Sequence, residues 1–258
     1  MQLETMTTTV DDHVATLVLN RPHVLNCANE QWARDLHAAV DDLARHERLR
    51  VVVVRGAGRA FCSGIDLTAL SRGEIGMTFF RNWEEALRKL EALDPVVIAA
   101  IHSHCIGGGL QVALACDLRV ARDDARFGIT AVKEGIIPGI GMWRVARHAG
   151  VGRAKRLALA AEIVGANVAE EWGLVDWVVD ADSFEAKIAE LTNRIVSMGR
   201  TSTRLTKKLT NMAFETSFAD FVEIYFEYQR LSIASPEHVH AMAEHRAQRE
   251  GTARGDSQ

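Results

Sequence analysis

Two stretches of the chain place glycines where a buried backbone N–H can meet a ligand oxygen. In Ile101-His102-Ser103-His104-Cys105-Ile106-Gly107-Gly108-Gly109-Leu110-Gln111, an apolar strand-like run (Val96 to Ile101) turns through three glycines into Leu110 to Cys116, which is apolar nearly all round. The first amides of a helix lack intrahelical partners and sit at the positive end of its dipole. Glycine leaves them open to close approach, so an oxyanion suits this junction. The competing reading is that the glycines only let helix and strand pack closely. The second stretch, Arg55 to Leu67 (RGAGRAFCSGIDL), follows the strand-like Val51–Val54 and carries Gly64 just ahead of Asp66, a residue able to cap the next helix. His102 and His104 form an H-x-H pair whose rings would share one face of a strand. A metal needs a third ligand and none is near in sequence, which favours a packing or pocket role for one ring. Cys27, Cys62, Cys105 and Cys116 lack C-x-x-C spacing and read as buried thiols, not as a disulfide framework or a zinc site.

The elements that position these junctions follow from hydrophobic period. Residues 5–19 are predicted to form two strands around Asp11-Asp12-His13, and Asn29 to start a helix running to about Arg45, with Trp32, Leu36, Ala39, Val40 and Leu43 at helical spacing. Val51–Val54 is a β-branched run of the kind covered on both faces of a sheet. Strand, helix, strand order implies right-handed crossovers with helices outside the sheet. Residues 68–78 read as a mobile loop before a helix over Phe79–Leu93. Leu118–Ala121 is a short strand, Ala131–Glu134 one helical turn ended by Gly135, Gly139–Ala149 and Arg153–Ala161 helices, and Val175–Val179 a last strand. From Asp182 the pattern is helical: Lys187–Met198, Thr203–Phe214, Phe218–Ile233 and Pro236–Arg249. The expected organisation is an α/β core over 1–180, a helical region over 181–250 and a polar, disordered tail over 251–258.

With 258 residues the chain can bury one substantial core. A net charge of −4 gives no basis for a nucleic-acid footprint. The basic clusters Arg144–Arg156 and Arg200–Lys208 read as helix surfaces, one of which is able to meet the phosphates of a nucleotide-like ligand. No apolar run reaches the roughly 18–20 residues of a membrane helix, and Met1–Val10 lacks a signal pattern. A soluble, cytoplasmic protein is expected.

An ordered series of short motifs adds a resemblance. Asn20-Arg21-Pro22 with Leu25-Asn26, Ala60–Leu67, Val96–Gly109, Cys116-Asp117, Ala125–Gly128, Gly135–Gly139 and Glu171–Val175 together resemble the enoyl-CoA hydratase/isomerase family, or crotonase superfamily. The resemblance implies a spiral of strand-strand-helix repeats with a C-terminal helical trimerisation region, and a homotrimer or homohexamer. It also implies an acyl-CoA thioester substrate, with coenzyme A bound as part of it and no separate cofactor or metal. The N–H groups of Ile65 and Gly108 would hold the thioester carbonyl oxygen, where charge gathers as an enolate forms. Ser63 and Asp66 would contact the adenine part of CoA, although Asp66 serves equally as a helix cap.

Family hydratases add water with two glutamates, and their positions here hold Gln111 and Ala131. A glutamine orients water or bonds an oxygen but accepts no proton near neutral pH, and an alanine does neither. Isomerisation, decarboxylation of a β-carboxyl group or C–C cleavage needs a stabilised enolate and one proton-transfer residue, so these are expected ahead of hydration. Glu134, i+3 from Ala131, is the first candidate for that residue, as a buried carboxylate with a raised pKa. The alternative for it is a solvent-facing side chain paired with Lys133 or Arg126. His102 or His104 comes next, then Glu74, Glu84 and Glu85. A catalytically silent acyl-CoA-binding or scaffolding homologue is the reading from another functional class. Gly107–Gly109 lacks the G-x-G-x-x-G spacing of a dinucleotide fold, and Cys62-Ser63-Gly64 lacks the leading glycine of G-x-S-x-G.

Overall fold

The computed structural model describes residues 1–255, with side chains as far as residue 248, and the chain divides into two compact units, Met1–Arg194 and Ile195 onward. The first unit is built on a six-stranded sheet. Its strands are β1 (Met6–Asp11), β2 (Val14–Leu19), β3 (Val51–Gly56), β4 (Val96–Ile101), β6 (Leu118–Arg122) and β9 (Trp177–Val179), in that spatial order. Only the β1–β2 pair is antiparallel; every other neighbour is parallel. Every residue of β4 and the four valines of β3 are buried, as central strands with both faces covered require.

Successive turns of the chain also deposit short extended segments in a second layer. Ala28 pairs with Ile65, Cys62 with Cys105, β5 (His104–Ile106) with β7 (Arg126–Gly128), and β7 with β8 (Ile163–Gly165). This alternation between two layers is the strand-strand-helix spiral. The helices α1 (Glu30–Leu43), α2 (Leu67–Ser71), α3 (Met77–Glu91), α4 (Gly108–Leu114), α5 (Gly141–Leu159) and α6 (Ala166–Glu171) join the strands, with a 3-10 turn at Ala131–Glu134, and α7 (Phe184–Ser197) follows the last strand. Asn29 caps α1 by accepting the Trp32 N–H at 3.0 Å. A single buried cluster runs from Met6 to Val175 and holds Trp32, Phe61, Phe79 and Phe127 at its centre.

Several expectations change in detail. The loop predicted over 68–78 contains α2, because Asp66 caps it through the N–H groups of Thr68 and Ala69. The two helices predicted over 139–161 are the halves of α5, broken at Gly150 with φ +80. His102 and His104 do not share a strand: β4 ends at Ile101, β5 begins at His104, and Ser103 between them has φ +52. The boundary between the two compact units falls inside α7. In the second unit, α8 (Arg200–Met212), α9 (Phe218–Ile233) and α10 (Pro236–Gly255) follow one another without a strand. α10 continues into the segment expected to be a disordered tail, and residues 256–258 lie outside the described residues.

The motif Asn20–Asn26 shows its purpose in this fold. Asn26 is fully buried, and its Nδ2 donates to the carbonyls of Ala57, Ala60 and Phe61 at 2.9, 2.8 and 3.1 Å, while its Oδ1 accepts the Arg21 N–H at 2.9 Å. Arg21 in turn donates to Asp66 Oδ2 at 3.0 Å and to the Cys27 carbonyl at 2.6 Å. One short segment therefore fixes both ends of the 57–66 loop. Asn26→Ala should destabilise the fold by about 1–3 kcal/mol for each buried group left without a partner, read as a lowered urea midpoint. Burial opposes ionisation of Asp66, but the Ala69 N–H and Arg21 outweigh it and hold its pKa below the ordinary carboxylate value. The stabilisation from this group is complete above that ordinary value and lost as pH falls through the depressed one. Asp66→Asn should therefore lower stability at neutral pH and flatten the acid limb of the stability curve; an unchanged acid limb would contradict the assignment.

Candidate active site

α4 crosses the 62–65 segment so closely that Gly109 has no room for a side chain. A Cβ on Gly109 would lie 2.1 Å from the Cys62 carbonyl oxygen, so the packing reading of the glycine triplet holds at that position. Gly64, at φ +107, faces the same crossing: a Cβ there would lie 3.0 Å from Ile106 O and 3.3 Å from Gly108 N. The two glycine-bearing junctions thus meet at Gly64 and Gly108. The Gly64 carbonyl accepts the Ala28 N–H at 2.8 Å. Because C=O and N–H of a trans peptide point opposite ways, the Ile65 N–H faces away from Ala28. Among the described residues no acceptor meets the N–H of Ile65 or of Gly108. Both residues line one cleft of about 1080 Å³.

Gln111, Ala131, Glu134, Ser63 and Asp66 line the same cleft. Ala131 and Glu134 open and close a single 3-10 turn, in which residues three apart eclipse one another. Glu134 is exposed where a buried carboxylate was expected, because its turn lies at the rim of the cleft; its carboxylate pairs with neither Lys133 nor Arg126 nor any other described residue. Gln111 is buried and donates from Nε2 to the Pro138 carbonyl at 3.1 Å. Asp66 has both carboxylate oxygens engaged, by the α2 cap and by Arg21. The Ser63 N–H is taken by Leu25 O at 3.0 Å and the Asp66 N–H by Ala28 O at 2.9 Å.

His102 and His104 stand apart from the cleft. His102 Nε2 bonds Gly58 O at 3.1 Å, and burial lowers its pKa below the ordinary histidine value. His104 is exposed and its Nδ1 bonds Ser103 Oγ at 2.8 Å. Neither ring lines the cleft, which this stretch of the chain enters only past the far end of β5, at Gly107 and Gly108. Glu74 also lies outside the lining and pairs with Arg72 at 3.9 Å.

The cleft has a wall on the helix predicted over Phe79–Leu93, of which sequence reasoning names only Glu84 and Glu85 as site candidates. Trp83 of α3 stacks on Trp32 at 4.7 Å, leans on Phe79 at 5.7 Å, and places its ring where a Cβ on Gly108 would meet it at 3.0 Å. Met77, Phe80, Arg81, Glu84 and Arg88 extend that wall along one side of α3. Their spacing of three and four is a second stripe beside the core-facing Phe79, Trp83, Ala86, Leu87 and Leu90, and is the signal from which this wall is readable in the sequence. Glu84 is not free: Arg144 donates to its two oxygens at 3.0 and 2.6 Å and to those of Glu91 at 2.6 and 3.1 Å. Burial works against the Arg144 charge, yet Glu91 and Glu84 raise its pKa beyond the ordinary arginine value. Arg144, read from sequence as part of a helix surface, is a buried strut between α3 and α5. Glu85 lines the cleft exposed and without a partner. Cys27 also lines it, but burial and then the Asp66 charge push its thiol up to about 11, which keeps it protonated and inert.

The cleft is thus bordered by two N–H groups that meet no acceptor among the described residues, by an aromatic and aliphatic wall, and by Glu134 and Glu85 as unpaired carboxylates. The family model for enoyl-CoA hydratase/isomerase matches residues 9–247. The short-chain-enoyl-CoA hydratase of Clostridium acetobutylicum is 31% identical over 219 residues, covering 83% of this chain and 84% of that protein. The 1,2-epoxyphenylacetyl-CoA isomerase of Escherichia coli is 31% identical over 230 residues, covering 86% and 88%. The crystal structure of an enoyl-CoA hydratase from Mycobacterium smegmatis aligns with a TM-score of 0.90 at 26% identity, over 95% of this chain and 96% of that one. With the sequence match running nearly end to end and the two-layered spiral shared with solved members, the chain belongs to the enoyl-CoA hydratase/isomerase family.

Proposed function

We propose that this chain binds an acyl-CoA thioester with its carbonyl oxygen between the Ile65 and Gly108 N–H groups and transforms it through the enolate, as an isomerase, a decarboxylase or a C–C lyase and not as a simple hydratase. The observation that carries this reading is the meeting, in one cleft, of two N–H groups without acceptors and of positions 111 and 131 without a carboxylate. When the α-carbon gives up a proton or a carbon substituent, the electron pair left behind moves onto the thioester oxygen. Each preorganised donor facing that charge is worth about 2.7–4 kcal/mol. Glu134 is the proton carrier in this reading, supported by its place on the Ala131 turn and by its unengaged carboxylate. The adenine end is assigned to the 63–66 segment, where the Ser63 carbonyl accepts no bond among the described residues and suits an amino-group donor.

Assembly as a homotrimer or homohexamer belongs to the same proposal. No residue of α9 is buried, and Phe218 and Phe226 are 84% and 60% exposed, more apolar surface than an isolated helix keeps in water. Among the described residues no helix is long and apolar enough to cross a membrane.

Proline at the first helical position deletes the N–H, whereas alanine keeps it and shares the added Cβ that meets Trp83, so Gly108→Pro is set against Gly108→Ala. The proline variant should exchange the α-protons of an acyl-CoA for deuterium at least about 100-fold more slowly than the alanine variant; equal rates would refute the oxyanion site. Glu134→Gln should cost about 10²–10⁴ in turnover of the true substrate. Crotonyl-CoA hydration by the wild type should be very slow, and hydration at ordinary enzymatic rates would contradict the reading, as would product-free binding of every thioester tried. Light scattering at micromolar concentration should give the mass of three or six chains, and a monodisperse monomer would overturn the assembly.

A further inference from the structure

Gln111 stands where family hydratases carry a glutamate, and its contacts give it another task. Its side chain is 8% exposed and donates to the Pro138 carbonyl at 3.1 Å. A carbonyl only accepts, so the amide has its nitrogen on that side. For Ile137, Pro138 and Gly139 this is the one hydrogen bond made among the described residues. The loop is otherwise loosely held: Gly135 and Gly139 sit at φ +70 and +59 with open space where a Cβ would be. Its Ile136, Ile137 and Ile140 line the cleft, and Ile137 and Ile140 are 81% and 50% exposed. Gln111 owes its position to Gly141, where a Cβ would lie 2.5 Å from both Cγ and Cδ of the glutamine.

We infer that Gln111 is a positioning residue that fastens the 135–140 loop as one wall of the acyl pocket, so that it governs recognition of the acyl chain and neither shuttles a proton nor activates water. The inference rests on the acyl-CoA reading for the occupant of the pocket, but not for the tether itself. A glutamate at 111, when ionised, would set a carboxylate oxygen against the Pro138 carbonyl with no proton between them. Restoring the family's acid therefore loosens the loop. When protonated, the same glutamate has an O–H to donate and holds it again.

The test pairs binding with native-state proteolysis. In the wild type, octanoyl-CoA should bind more tightly than CoA. In Gln111→Ala, and in Gln111→Glu at pH 8, that advantage should shrink about threefold to tenfold while CoA affinity stays the same, and thermolysin should cut within 135–140 faster by a similar factor. The advantage should return in Gln111→Glu as pH is lowered and stay lost in Gln111→Ala. Gly141→Ala should displace an intact Gln111 and reproduce the loosening, and adding Gln111→Ala to it should bring no further change. Unchanged cleavage in Gln111→Ala, Gln111→Glu and Gly141→Ala would overturn the tether. Equal loss of CoA and octanoyl-CoA affinity would overturn its assignment to the acyl wall. A wild type that binds neither ligand would sink the acyl-CoA reading, and the cleavage rates would still decide the tether.

Discussion

The site depends on the passage of α4 over the 62–65 segment, where there is no room for a side chain at Gly109. Glycine at 109 lets the helix come down onto the Cys62 carbonyl, and Gly64, held at φ +107, brings the other junction against the Gly108 nitrogen. The peptide planes are then determined by neighbours: Gly64 C=O is held by Ala28, which leaves the Ile65 N–H facing the other way. Two donors without acceptors are costly in a folded interior unless something polar meets them, and here they border a cleft. Structural packing and the proposed oxyanion chemistry therefore draw on the same glycines, and the two readings of the triplet are complementary.

Around that crossing, polar side chains divide into those that hold backbone and those left open. Asn26 holds three carbonyls of the 57–61 loop, Arg21 and Asp66 hold its far end, and Gln111 holds Pro138. Arg144 ties α5 to α3 through Glu84 and Glu91; removing one partner of such a buried set leaves uncompensated charge and costs about 3–5 kcal/mol. Glu84 and Asp66 are thereby withdrawn from chemistry although both line the cleft. Glu134 and Glu85 remain available, and of the two Glu134 lies on the turn that begins at Ala131.

Much of this was legible in the residues. The β-branched runs, the apolar periodicity of α1 and α3, and the ordered motifs define the layers, since burial on both faces of a strand leaves a continuous apolar run. The glycine junctions were visible because glycine marks places where side chains do not fit. Other features had no local signature. Ile163–Gly165 is a strand only because β7 lies beside it, and Leu67–Ser71 is a helix of one turn that Asp66 starts. The pairing of Arg144 with Glu84 and Glu91 joins residues more than fifty positions apart, so nothing near Arg144 announces that it is buried. Glu134 was expected to be buried because the spacing gives its direction and not its depth. His102 and His104 lost their shared face to one left-handed residue, Ser103, which H-x-H spacing does not reveal.

The most direct test of the central claim is a crystal structure of the protein with acetoacetyl-CoA. The expected result is a thioester carbonyl oxygen within hydrogen-bond distance, about 2.7–3.1 Å, of both Ile65 N and Gly108 N, with the acyl chain against Trp83 and the 135–140 loop. A thioester whose carbonyl oxygen meets neither nitrogen, with the CoA moiety seated outside the cleft lined by Ser63 and Gly108, would contradict the account.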